Sequence, residues 1–473
     1  MIGRQDIIEL AGELSLDPAV VEKDYVLGWL LAGISQHAEL GPNWVFKGGT
    51  CLKKVFFETY RFSEDLDFTV RDAAHIDEAF LRRALREVVE WIYTETGIEA
   101  PADRVRVEVF ENPRGRPVAE ARVYYRGPLQ PRGSLPRVKL DLTSDERIVL
   151  DPTRLPINHP YDDRPPDGIE VHCYPYAEVF AEKIRALGDR ARPRDLYDVI
   201  NLYRREDALS AASNVREILE QKCGFKGIPV PTLAGLEPAR EELAADWEHM
   251  LAHQLPALPP FESFWHELPG FFTWLAEAAI PTALEPFRMA RGEEVLRPAI
   301  GDLASLGLEH AAPLERIRFA AANRLCVDLD YTKENGQRSR PRIEPYSLRR
   351  TRDDNVVLHA LRADGGGHRS YRVDRIHEAT VTDQAFTPRY AIELNPGSSL
   401  PIPPTRRGSG SPTSRPRPPR STFTAESRYV YECPICQKTF RRRAANPWLR
   451  AHKDRLGQPC AGRNGIYRSG PWG

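Results

Sequence analysis

Apolar and polar positions alternate in Asp65-Leu-Asp-Phe-Thr-Val70, which predicts a half-buried strand with Asp65 and Asp67 side by side on one face. A second strand is expected at Val138-Lys-Leu-Asp141, where Lys139 and Asp141 share a face. Ala177 to Leu187 carries a helical period with Val179, Phe180, Ile184 and Leu187 as its apolar stripe. Glu178 and Glu182 lie four apart on that helix, with Lys183 beside them. Pro193 interrupts the pattern and opens a new helix in which Asp195 and Asp198 are three apart and can face one way. Aromatic residues at helical spacing, Phe261 to Trp265 and Phe271 to Trp274, predict the packing helices that close this first region. From residue 313 the rhythm changes. A short helix, Leu314 to Asn323, precedes short strands at Leu325–Tyr331, Arg342–Leu348, Asn355–Leu361, His368–Ile376 and Ala379–Thr382. Such strands, with Gly, Asn and Asp turns about every ten residues, predict a small β-barrel. Pro396 to Arg420, rich in Pro, Gly, Ser and Arg, cannot bury a core and reads as a flexible tether.

The chemistry concentrates in residues 47–67. Gly48 and Gly49 allow backbone N–H groups to approach a phosphate, and Thr50 or Ser63 can add a hydroxyl. Lys53 and Lys54 read either as phosphate contacts or as a solvated helix face. Two adjacent carboxylates repel unless a cation lies between them, and hard oxygen ligands favour magnesium or manganese. A lone Asp-x-Asp is ordinarily solvated, but here a Gly-Gly-Thr turn precedes it and Lys-Leu-Asp follows. If the two strands are neighbours, Asp141 completes a three-carboxylate cluster with Asp65 and Asp67, and Lys139 joins the same face. Lys183 reads either as a cation that offsets triphosphate charge or as a neighbour of Glu182 on a wet helix face. Asp195 reads as an active-site acid or as a helix N-cap. Glu22, Lys23 and Asp24 read as a structural ion-pair cluster rather than as catalytic groups. These parts suit metal-assisted transfer of a nucleotide from a nucleoside triphosphate.

Phe46-Lys-Gly-Gly-Thr50 followed by Arg61-Phe-Ser-Glu-Asp-Leu-Asp67 resembles the AbiEii/AbiGii-type nucleotidyltransferase toxins of bacterial type IV toxin–antitoxin systems. Glu22-Lys-Asp-Tyr25, Val138-Lys-Leu-Asp141 and the Glu178 to Asp198 segment match in the same order, so the resemblance covers residues 1–285. It implies a polymerase-β-like core, with Asp65, Asp67 and Asp141 as metal ligands, Lys183 facing triphosphate and Asp195 as an acid on the helical second lobe. It also implies a tRNA 3′ end as a candidate acceptor, and a cognate antitoxin. The strand-rich segment resembles the WYL domain through Tyr331, Pro345 and Arg369-x-Tyr-Arg-Val-Asp-Arg-Ile376. The Trp-Tyr-Leu triplet itself is replaced by Val356-Val357-Leu358, while Arg349, Arg350, Arg369, Arg372 and Arg375 are expected to offer a basic face.

Charge and cysteines add a third part. The net charge of −1 conceals 15 Lys and Arg against 3 Asp and Glu in residues 401–473, and 51 against 64 in residues 1–400. A basic tail on an acidic body points to nucleic acid, RNA foremost, as its partner. Cys433, Cys436, His452 and Cys460 have the spacing of a closed, structural Cys3His zinc site, with Phe440 packed beneath it. A unit this small needs such a staple to fold. The other cysteines are scattered, which suits a reducing cytoplasm. No apolar run reaches the roughly 18 residues of a membrane span.

The expected fold class is α+β. A polymerase-β-like nucleotidyltransferase core with a helical second lobe (1–285) precedes a small β-barrel (312–395), a linker (396–425) and a zinc-stapled module (426–473). The expected activity is Mg²⁺- and NTP-dependent nucleotidyl transfer to RNA in a toxin–antitoxin or phage-defence role. The runner-up is a non-catalytic nucleic-acid-binding regulator or sensor. Transfer to a protein side chain stands third.

Overall fold

The computed structural model describes residues 1–57, 61–130, 133–205, 211–277, 284–287, 293–296 and 311–394, then 429–437, 439–442, 449, 452–453, 458–461 and 466–469. The chain divides into two compact units, Met1–Thr405 and Arg406–Gly473. The first holds both the expected catalytic core and the expected barrel. The expected linker, 396–425, lies outside the described residues.

The centre of the first unit is a seven-stranded mixed sheet in the order β3-β4-β5-β2-β1-β7-β6. Its strands are β1 (Trp44–Lys47), β2 (Asp65–Val70), β3 (Arg106–Glu111), β4 (Pro117–Tyr124), β5 (Arg137–Thr143), β6 (Thr153–Pro156) and β7 (Glu170–Cys173). β2 lies parallel to β5 and antiparallel to β1. The alternation read in the sequence is realised: Leu66, Phe68, Leu140 and Leu142 are buried, and the polar positions between them face the other way. These apolar residues belong to one core with Val26, Leu30, Val88 and Ile92. That core is built with helices α1 (Arg4–Leu14), α2 (Pro18–Gln36) and α5 (Glu78–Thr96). α2 starts where Asp17 accepts the Ala19 N–H and Pro18 takes the first helical position. The short helical turns α3 (Leu40–Asn43) and α4 (Gly48–Cys51) flank β1.

The second lobe comprises α6 (Tyr176–Arg190), α7 (Pro193–Tyr203), α8 (Ala212–Lys226) and α9 to α12 (Leu233–Leu236, Arg240–Leu251, Phe261–Trp265, Leu268–Glu277). The expected stripe of α6 is buried, and the aromatics of α11 and α12 are packing residues: Phe180 stacks on Trp274, and Tyr197 on Phe264.

Helix α13 (Ala311–Ala322) leads into a curled half-barrel of β8 (Glu294–Val295), β9 (Leu325–Thr332), β10 (Arg338–Ser339), β11 (Arg342–Arg350), β12 (Val356–Arg362), β13 (His368–Arg372) and β14 (Ile376–Ala385). Every strand expected from the turn spacing is present. The expected basic face is formed only in part: Arg369 is exposed on β13 and donates to the His368 carbonyl, and Arg375 reaches Glu334 at 4.0 Å, but the other three arginines are engaged. Arg349 is fully buried and donates to Glu393 at 2.8 Å and to the Phe287 carbonyl at 2.6 Å. Arg350 pairs with Asp354 at 2.6 Å, and Arg372 grips Asp374 with two hydrogen bonds. Seven consecutive β11 residues, Ile343 to Arg349, are buried, so both faces of this strand are covered and Arg349 becomes part of the interior.

The second unit has a three-stranded sheet of β15 (Tyr429–Glu432), β16 (Thr439–Arg442) and β19 (Ile466–Ser469). A ladder of β17 (His452–Lys453) with β18 (Pro459–Cys460) accompanies it. Tyr431, Cys433, Leu449 and Cys460 form its small core.

In the Glu22-Lys-Asp segment the expected ion-pair cluster disperses. Glu22 accepts the Leu129 N–H, Lys23 meets Glu64 at 2.5 Å, and Asp24 binds buried Lys54 at 2.6 Å. Beside Lys54, His159 is buried among Tyr25, Trp29 and Tyr161, and neither ring nitrogen has a hydrogen-bond partner among the described residues. Burial, then the Lys54 charge, pushes its pKa down to about 3. Between the unfolded value near 6.5 and that folded value, only the unfolded chain takes up the proton, so stability falls as pH drops through this window. We predict that His159→Gln reduces the stability lost between pH 7.5 and pH 5 by about 1–2 kcal/mol. Urea denaturation at both pH values measures it; an unchanged difference would contradict a neutral, buried His159.

Candidate active site

β1 ends at Lys47, and the chain turns at Gly48 with φ +80°. A Cβ on Gly48 would sit 2.0 Å from Asp67 Oδ2, so the turn lies directly against that carboxylate and only glycine fits. Gly49 follows, where a Cβ would meet the Arg61 guanidinium at 2.7 Å and Ser63 Oγ at 3.0 Å. Thr50 is buried, and its hydroxyl donates to the Asp65 carbonyl, tying the turn to β2. Lys53 is buried with its ammonium 4.6 Å over the Phe62 ring. The expected phosphate turn is thus fastened along its length to the strand that bears the acids.

Asp67 pairs across the sheet with Asp141 on one side and Lys47 on the other, while Asp65 pairs with Lys139. The expected three carboxylates therefore meet on one sheet face. Burial first, then Asp141 and Asp65 against the relief of Lys47 and Lys183, pushes the Asp67 carboxyl up to about 6. Burial and Asp141 raise Asp65 as well. Lys139 bridges Asp141 and Glu120 at 3.0 Å each, drawing Asp141 aside. Among the described residues, a set of three ligand atoms within 4.8 Å of one another occurs at cysteines and not at this triad.

The second lobe brings the remaining groups to the same end. Lys183 Nζ lies 2.7 Å from Asp198 and 3.6 Å from Asp195. Asp198 is wholly buried and also receives Arg61 through two 2.7 Å hydrogen bonds. Arg61 and Lys183 overcome its burial and hold its carboxyl well below the usual range. Arg190 clamps Asp195 at 2.7 and 2.9 Å. Asp195 sits in the first turn of α7, inside the cap position held by Arg192, so it is not an N-cap. Lys47, at the mouth of the turn, binds Glu182 at 3.2 Å and Glu146 at 3.7 Å. Glu178 is structural: it accepts the Val149 and Leu150 N–H groups and binds Lys222 at 2.9 Å.

Lys47, Arg61, Arg190 and Glu120 were not singled out from the sequence. Lys47 and Arg61 stand within the matched motifs, so their signal was present. Arg190 stands within the matched Glu178 to Asp198 segment as well, five residues before its partner Asp195, whereas Glu120 is defined by Lys139 and Arg122, and its link to Lys139 on the neighbouring strand is one that no local spacing reveals.

In the second unit, Cys433, Cys436 and Cys460 have sulfurs within 4.8 Å of one another, with Cys433 and Cys460 at 3.6 Å. The Cys-x-x-Cys knuckle closes through the Gln437 N–H on the Cys433 carbonyl, with Gln437 at φ 59°. β17 pairs His452 directly opposite Cys460. The side chains of His452 and Phe440 lie outside the described residues.

The family model "Nucleotidyl transferase AbiEii toxin, Type IV TA system" matches residues 29–277, and that of the WYL domain matches 313–381. Neither extends into residues 382–473. Among solved structures, MenT4, a nucleotidyltransferase toxin from Mycobacterium tuberculosis H37Rv, is 18% identical over 59% of this chain and 90% of its own, with a TM-score of 0.36. Proteasome accessory factor B/C of Arthrobacter aurescens is 15% identical over 45% of this chain and 32% of its own, with a TM-score of 0.16. No curated protein matches. No helix among the described residues is long and apolar enough to cross a membrane. The glycine turn packed on Asp67 and the acid opposite it on β5 fall within a match that takes in more than half of the chain, which therefore belongs to the AbiEii nucleotidyltransferase toxin family, with a WYL domain following the toxin domain.

Proposed function

We propose that this protein moves a nucleoside monophosphate from an NTP to an RNA acceptor, with Asp65, Asp67 and Asp141 holding divalent metal. The observation that carries the reading is the β2–β5 register, which sets Asp67 beside Asp141 while Gly48 leaves no room between turn and carboxylate. The donor set fits a hard cation: three carboxylates on one face, two of them with raised pKa, are under-compensated by the protein alone. When bound, magnesium or manganese supplies positive charge to the triphosphate and acidity to the attacking hydroxyl.

The chain's own groups do the rest. The Gly48 and Gly49 backbone cradles phosphate, with Ser63 beside it. Lys183 and Arg190, both oriented by Asp195, offset charge on the triphosphate. Lys53 and Lys139 flank the turn and the acids. The acceptor hydroxyl attacks the α-phosphorus, the α–β bridging bond breaks, and pyrophosphate leaves. A tRNA 3′ end, a cytoplasmic setting, a cognate antitoxin and a phage-defence role complete this reading. A sensor that binds nucleotide without turnover would have no use for the assembled acids and Lys183.

The basic C-terminal unit would recruit RNA, stapled by zinc on Cys433, Cys436, Cys460 and His452. Three clustered sulfurs and a histidine opposite Cys460 in the ladder suit a four-ligand structural site.

Incubation with each α-³²P-NTP, Mg²⁺ and total bacterial RNA is expected to label RNA. Asp67→Asn should lower the rate at least about 100-fold with near-native melting, whereas Gly48→Ala, which forces a Cβ against Asp67, should lower both the rate and the melting temperature. Label on protein would reassign the acceptor, and no label with any NTP would leave the sensor reading. For the tail, elemental analysis should find one zinc per chain. Cys460→Ser should lose it and weaken RNA binding; full RNA affinity without zinc would refute the stapled-recruiter role.

A further inference from the structure

The barrel-bearing part of the chain touches the catalytic lobe at one telling place. Tyr197, next to Asp198 on α7, donates its hydroxyl to Asn323 Oδ1 at 2.7 Å. Both residues are buried. Asn323 follows α13 directly, and its Nδ2 is held by the Phe319 carbonyl at 3.0 Å. Arg324 turns the chain into β9 with φ 57°, and its carbonyl accepts the Phe386 N–H at 2.9 Å. The same residue binds Glu267 at 2.6 Å, and Glu267 binds Arg204, just beyond α7, at 2.7 Å. A second attachment lies at α1, whose Gly12 and Glu13 carbonyls accept from Arg316 of α13.

Adjacent residues on a helix point about 100° apart. Asp198 therefore looks toward Arg61 and Lys183, while Tyr197 looks toward the α13 end. α7 cannot rotate about its axis without breaking one of the two attachments. Beyond Asp198 the contacts run on to Arg61 beneath the Gly49 turn and to Lys183, whose charge reaches Asp67.

We infer that Tyr197 is a positioning residue for nucleotidyl transfer and that Asn323, from the WYL side, sets it, so that the WYL domain is part of the catalytic framework. The inference rests on the proposed nucleotidyltransferase reading. The Tyr197 ring stacks on Phe264 at 5.2 Å, which fixes its plane; the hydroxyl bond fixes where the helix stands relative to the half-barrel.

The test is steady-state transfer from labelled NTP to RNA by the full chain, with the active fraction counted by titrating its NTP-binding sites. Tyr197→Phe deletes one hydroxyl and keeps the stack, so it should fold; Asn323→Ala removes the acceptor. Each is expected to lower kcat per active site about tenfold, with KM for the NTP within about twofold, as a small misplacement of charged groups does. The double variant should be no worse than the worse single one, because both remove the same bond. Unchanged kcat per active site with only a lowered melting temperature would overturn the inference and leave the bond merely structural. Independent, multiplying losses would overturn it too. An inactive wild type would instead remove the nucleotidyltransferase reading, and this inference with it.

Discussion

The second lobe is placed on the sheet by one buried anion. The Asp198 carboxylate has no access to water, and a charge there is tolerated only where partners are fixed and close. Arg61 arrives from the segment before β2, Lys183 from α6, and Asp198 itself from α7. Arg61 is held in turn by Gln254 at 3.0 Å, and it lies against the Gly49 turn. The segment before β2 and the consecutive helices α6 and α7, far from it in sequence, must therefore converge before these charges are satisfied. Loss of either cation would leave the anion under-compensated, which is how an ion cluster of modest net stabilisation specifies an arrangement.

A few residues away the balance is opposite. Asp67 also sits in a poorly solvated place, but its neighbours include two further acids, and its carboxyl is pushed up to about 6. Asp198 is a carboxylate with its partners supplied; Asp67 is one with too few. Where burial is fully compensated the group is structural, and where it is not, the deficit marks the place a cation or a ligand's charge would occupy. The second lobe thus fixes Asp198 with its partners, while the sheet leaves Asp67 under-compensated, and the Lys183 charge bears on both.

Local pattern carried the reading of the elements. β2 and β5 were legible because alternation has a fixed period, and α6 because its stripe does; the turn spacing after residue 313 gave the half-barrel its strands. The parallel pairing of β2 with β5 was only conditional in the sequence, since register between distant strands is set by the whole core. Charged partners were least legible. Lys183 was expected to stand beside Glu182, yet its shortest contact is Asp198, and Glu182 turns to Lys47. The Glu22-Lys-Asp run looked like one cluster and became three separate attachments, because adjacent residues on a helix leave in different directions. Arg349 looked like surface and is core, since a guanidinium with carboxylate and carbonyl partners packs well in a barrel interior.

That last point bears on which part of the molecule has positive charge to spare. In the half-barrel, Arg342 is matched by Asp328, Arg350 by Asp354, Arg362 by Asp364, Arg372 by Asp374 and Arg389 by Glu344. Paired arginines have little net field to offer a phosphate backbone. Residues 401–473, with 15 basic residues against 3 acidic, have the opposite balance. An RNA partner is therefore better served by the C-terminal unit, while the half-barrel, with Val356-Val357-Leu358 where the Trp-Tyr-Leu triplet would stand and the buried Asn323 bonded to Tyr197 of α7, has the attachments of an internal brace for the catalytic lobe.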